Sequence, residues 1–216
     1  RVAAVATLVS FVLGLSLARL FTSRQVPLRG LWESLILMPM VLPPTVLGYL
    51  LLLLLGRRGP LGSLLAKAGV QVIFTWGAAV VASVVVSLPL MYQSCKAALR
   101  NLDPQFARAG RTLGLKEGFI FRRITLPLAA PGIISGAVLS FARALGEFGA
   151  TLMVAGNMPG RTQTIPLALY SAVEGGHNAE AGLLLGITVG LAFLLVIIVG
   201  ICERRTFSAG FQGGGR

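Results

Sequence analysis

Five stretches of the chain are apolar for about twenty residues each: 2–20, 35–55, 72–92, 132–155 and 182–202. A helix needs roughly 20 residues to cross the hydrocarbon core of a bilayer, about 30 Å thick. The pattern therefore predicts an all-α membrane protein, a polytopic bundle of about five transmembrane helices. Polar positions cluster between these stretches, most densely over residues 93–131. A shorter apolar run at 164–173 predicts a small helix lying against the bundle, and Glu174-Gly175-Gly176-His177-Asn178 a break before the last span.

Two spans depart from plain hydrocarbon. The second carries Pro39, Pro43, Pro44 and Gly48, and each proline removes a backbone donor and crowds the preceding turn. Freed carbonyls at membrane depth need protein or water around them, so a broken helix facing an assembly interior is expected. It reads either as a packing kink or as a hinge lining a path. The fourth span places Arg143 and Glu147 four residues apart, on one helical face, near Ser140 and Thr151. Ionisable groups at that depth face a bundle interior or an aqueous cavity. Two readings stay open, an internal salt bridge and a charge pair beside a solute path. Pro43, Pro44, Ser140, Arg143, Glu147 and Thr151 are thus the candidate path or gate. Two rows of small residues, Gly132-Gly136-Ser140 and Gly182-Gly186-Gly190, predict close helix packing, within the subunit by default and otherwise at a dimer contact.

Composition agrees with the pattern: 55% of residues are hydrophobic and 12% charged, with mean hydropathy +0.83. The net charge of +12 is explained by the bias of Lys and Arg toward cytosolic loops and calls for no nucleic acid. With residues 93–131 in the cytosol, thirteen cations share that side and five the other, Arg143 lying within a span. The first span is followed by Arg19 and lacks a small-residue cleavage site, so it reads as a retained helix. Cys95 and Cys202 have no metal-like spacing and read as reduced structural thiols. His177, the lone histidine, reads as solvated. One transmembrane domain is expected over residues 1–205, with a flexible cytosolic tail at 206–216. No paired carboxylates and no phosphate-binding loop are present, since none of Lys67, Lys96 and Lys116 follows a glycine; no cofactor or metal is expected.

The polar segment at about 100–127 has its own construction. Asp103-Pro104 is a helix start, with a side-chain acceptor for the N-cap and proline at the first helical position. A short amphipathic helix over 105–113 ends at Gly114, where a left-handed residue is easy. A second helix over 116–125 presents Phe119, Ile120 and Phe121 before Leu126-Pro127 leads into the membrane. Ala109 and Gly110 form a small-residue face between Arg108 and Arg111. The segment is either a docking element or an amphipathic helix on anionic lipid.

Ala109-Gly110, Gly114 and Ile124-Thr125-Leu126-Pro127 resemble the coupling loop of permease subunits in ATP-binding-cassette importers, with the spacing intact. Ala107-Arg108 stands where that family usually has a glutamate, and Gly110 where it has a second alanine. LPPTVLGYLLLLLLGRRGPLG, FARALGEFGAT and GNMPGRTQTIPLALY are similar to molybdate permeases, with tungstate and sulfate/thiosulfate permeases close. The resemblance implies a non-enzymatic, multi-pass subunit of the cytoplasmic membrane, homodimeric and surrounded by lipid. It implies cytosolic ATPase subunits on the loop and an extracytoplasmic oxyanion-binding protein outside. Arg108, Ala109, Gly110, Arg111, Gly114, Ile124, Leu126 and Pro127 would form the ATPase contact. The residues alone also fit a secondary anion transporter, which needs no ATPase.

Overall fold

The computed structural model describes residues 1–23 and 26–211, with side chains up to Thr22 and from Val26 to Ile201. It is helical almost throughout, and no strand occurs among the described residues. In order the helices are α1 (Val2–Ser23), α2 (Arg29–Val41), α3 (Pro44–Leu55), α4 (Pro60–Lys67), α5 (Trp76–Arg100) and α6 (Pro104–Thr112). There follow α7 (Glu117–Ile120), a π-turn (Phe121–Thr125), α8 (Leu126–Leu145), α9 (Gly149–Ala155), α10 (Ile165–Glu174) and α11 (Asn178–Phe211). Four helices are long and apolar enough to cross a membrane, or five if the bent pair α2–α3 counts as one span.

Helix α5 is the spine. Thr75 starts it by accepting from the Ala78 amide at 3.3 Å, and small residues (Ala78, Ala79, Ala82, Ser83, Ser87) fill its buried face. Small faces let neighbours approach closely. A Cβ on Gly14 of α1 would stand 2.9 Å from Met91 Cγ, and one on Gly136 of α8 only 2.4 Å from Ser94 Cβ. The row from Gly132 is thus used inside the chain, as expected. The row from Gly182 is not: Gly182, Gly186 and Gly190 meet nothing, and the apolar window of α11 is unburied. That expectation is corrected, since α11 lies at the margin of the bundle and buries little beyond Leu195.

The second span is not a kinked rod. Leu42 and Pro43 are both extended (ψ 137° and 139°), and α2 and α3 meet at 119°. Consecutive prolines explain it, because Pro43 and Pro44 bring no amide hydrogens and bias their predecessors out of the helical region. Twelve residues of α3 extend about 18 Å, too short to cross alone. Helix α2 lies across α5: Glu33 reaches Tyr92 and Lys96, while Met40 takes a hydrogen bond from Gln93 at 3.4 Å.

The fourth span also differs from expectation. Instead of beginning at 132, it is continuous from Glu117 through the π-turn to Leu145, then stops, and 149–155 form the separate α9. Pro127 accounts for the π-turn. It has no N–H to bond back to Arg123, and the Leu126 amide reaches one residue further than usual, to the Phe121 carbonyl. The short helix expected at 164–173 is α10, and Gly176 (φ 70°) turns the chain into α11. Cys95 is buried and free. Arg24 and Arg216 lie outside the described residues, as do the side chains of Cys202, Arg204 and Arg205; of the expected tail, 206–211 continue α11 and 212–216 lie outside.

Candidate functional site

Two places gather the candidate residues. At the loop, the Asp103 carboxylate accepts from the Gln105 amide at 2.8 Å and Pro104 opens α6. Gly114 adopts φ 72°, so the amides of Gly114 and Leu115 return to the carbonyls of Arg111 and Gly110. Gly110 is buried, and a Cβ there would stand 3.0 Å from Ile120 and 3.4 Å from Ile124. The small pair therefore does two things. Gly110 seats α6 on α7 and the π-turn, whereas Ala109 remains exposed beside Arg108 and Arg111. Arg111 Nε meets Glu117 Oε1 at 2.6 Å and clips the two helices together at the surface. That carboxylate raises the Arg111 guanidinium further above its ordinary range.

The outer surface of this hairpin is apolar as well as basic. Phe106, Leu113 and Phe119 are 53%, 77% and 50% exposed, with Arg108, Arg111, Arg122 and Arg123 around them. Of the apolar trio singled out in the sequence only Phe119 stays outside. Ile120 is buried, and Phe121 lies under the Arg19 guanidinium, 3.8 Å from its ring centroid. Phe106 and Leu113 were not among the sequence candidates. Their spacing from buried Gly110, four residues before and three after, puts them on the side of α6 next to it, so the helical period alone does not mark them as exposed. Ile124 and Leu126 are half-buried and Pro127 is exposed.

The second place is the break after α8. The helix ends between Arg143 and Glu147, so the two do not share a helical face; Gly146 closes α8 and Glu147 begins a new turn. They pair all the same, Arg143 Nη1 to Glu147 Oε2 at 2.8 Å. The other carboxylate oxygen accepts from the Ala150 amide at 2.8 Å and so caps α9. The Glu147 side chain is 1% exposed against 34% for Arg143, so one end of the pair is sealed and the other open. Helix α9 is pressed on α3: a Cβ on Gly48 would meet the Ala150 backbone at 2.8 Å, and Gly149 faces Pro44.

The other candidates are distributed around this contact. Pro43 and Pro44 are exposed at the α2–α3 corner. Thr151 is fully buried in α9, its hydroxyl unpartnered among the described residues. Ser140 belongs to a seam of hydroxyls instead, donating to the Ser87 carbonyl at 3.3 Å while Ser87 shares a 2.8 Å bond with Ser10. Arginine, a buried carboxylate and a broken helix can hold or release a constriction.

Comparison with known proteins adds identity to the geometry. The family described as "Binding-protein-dependent transport system inner membrane component" matches residues 10–207. The putative molybdenum transport system permease protein YvgM of Bacillus subtilis (strain 168) is 43% identical over 201 residues, covering 92% of this chain and 88% of its own. The molybdenum transport system permease protein ModB of Escherichia coli (strain K12) is also 43% identical over 201 residues, covering 92% and 87%. Among solved structures, an inward-facing MetNI methionine ABC transporter chain superposes with a TM-score of 0.68 at 19% identity, covering 93% of this chain and 91% of that one. That likeness carries the fold.

Proposed function

Because the chain belongs to the family of binding-protein-dependent transport system inner membrane components, we propose that it is the permease subunit of an ATP-driven molybdate importer. Two copies form the pathway across the cytoplasmic membrane. A separate ATPase docks on the loop of each copy in the cytosol, and an extracytoplasmic binding protein delivers the oxyanion outside. The observation that carries this reading is the loop surface, where Phe106, Leu113 and Phe119 stand exposed among arginines on a hairpin tightened by Gly110 and Gly114. Exposed aromatic and arginine side chains on a preformed element are what a protein groove recognises. Molybdate as the solute is supported by the names of the two bacterial relatives.

Closure of the ATPase pair moves the loops. Helix α8 is one piece with the loop through the π-turn, so the movement reaches Arg143 at its far end. Displacement of Glu147, which holds both Arg143 and the Ala150 amide, then frees α9 from its cap and opens the contact with α3. An arginine open on one side suits an oxyanion passing it.

Affinity purification of the tagged chain from detergent-solubilised native membranes tests the reading. A nucleotide-binding ATPase is expected to co-purify and to be lost when residues 108–114 are scrambled while the chain stays folded. Recovery of the chain without an ATPase, under conditions that preserve known complexes, would overturn it in favour of a secondary transporter.

A further inference from the structure

Helix α2 crosses the loop end of α5, yet none of its residues is buried. Only Ile36 and Leu37 pack partly against the core there. What fixes it is one carboxylate. Glu33 takes Arg29 Nε at 2.9 Å and the Tyr92 hydroxyl at 3.0 Å on one oxygen, and Lys96 Nζ at 2.8 Å on the other. Tyr92 is in turn buried and set edge-on against Phe21 of α1, with ring centroids 6.1 Å apart. Three donors on one half-sheltered carboxylate, two of them cationic, make a directional clasp that two half-buried aliphatic contacts do not.

The position of the clasp gives it a use. Lys96 lies one turn before Arg100, where α5 ends, and α6 begins four residues later at Pro104. At its other end α2 runs into the extended Leu42-Pro43 corner, beyond which Pro44 and Gly48 bear on α9. We propose that Glu33 is a positioning residue, the joint through which movement of the docking loop is passed by way of α5 and α2 to the Pro43 corner. The α2–α3 pair is then a bell-crank, with one arm clasped to α5 and the other closing on α9. This rests on the importer reading and adds to it a second route from loop to gate, parallel to α8.

The test uses the complete transporter, with its ATPase and binding protein, in proteoliposomes, measuring molybdate uptake and ATP hydrolysis together. Glu33→Gln keeps the shape and removes the charge. Uptake per ATP is expected to fall about tenfold, the size of losing one charge-assisted bond, while hydrolysis stays within about twofold. Exchanging the partners, Glu33→Lys with Lys96→Glu, should recover much of the loss, and it decides the matter if the single variant fails to assemble. Uptake and hydrolysis falling in proportion, an unchanged ratio, or an exchange that recovers nothing would each overturn the joint. Failure of the unaltered complex to move molybdate with ATP would instead overturn the importer reading, and the joint with it.

Discussion

The loop hairpin and the α3–α9 contact are both built on glycine, and they use it in opposite ways. At the hairpin, Gly114 has open space around its Cα and is needed for its backbone angle alone. At α3–α9, Gly48 has ordinary helical geometry and is needed because the Ala150 backbone leaves no room. The ion pairs divide the same way. Arg111–Glu117 is exposed on both sides, whereas Glu147 is sealed and also holds a backbone amide. One region is an exposed surface held in shape by a turn and a surface ion pair; the other is a packed contact between two helices. Surface pairs contribute little to stability, while removing one partner of a buried pair costs far more.

Replacement of Glu147 by Ala should test that division most severely. It strands Arg143 and uncaps α9 together, and a loss of about 3–5 kcal/mol is expected, read as a fall in the thermal midpoint in detergent. The double variant lacking both charges should be less damaged than the single one; additive losses would mean the pair is not coupled. Gly48→Ala should come next, at about 1–3 kcal/mol, because the new methyl must push the α9 backbone away. A midpoint equal to wild type would show that α3 and α9 part more easily than their packing implies. Gly114→Val should cost least in stability, about 1–2 kcal/mol for a left-handed β-branched residue, yet it should uncouple ATP hydrolysis from uptake. Coupled uptake at the wild-type ratio would remove the turn from the mechanism.

Some of this was legible in the chain. The hydrophobic runs locate α1, α5 and α11 because each is a single unbroken helix long and apolar enough to cross a membrane. Asp103-Pro104 and Gly114 announce α6 because caps act within a few residues. The course of α2 was not legible: an apolar run fixes neither its direction nor where a proline pair will fold it. The spacing of Arg143 and Glu147 suggested one helix face, and the helix end at Leu145 was hidden because Glu147 caps across it. Glu33 and Lys96 are far apart in the chain, and neither stands out until α2 is laid over α5. Phe106 and Leu113 were not singled out, because the period of a nine-residue helix does not say which of its apolar positions a neighbour covers.

The π-turn between the loop and α8 holds one residue more than an α-helical path would. Each residue of helix advances the azimuth by about 100°, so this surplus sets the angular phase between the exposed loop surface and Arg143 near the far end of α8. A shaft of that kind transmits twist as well as thrust. Were the surplus residue taken up into regular helix, α8 would turn by more than a quarter-turn and advance by about 1.5 Å relative to the loop. The angular relation of the loop surface to Arg143 is therefore set by Phe121 to Thr125, residues that lie between the two.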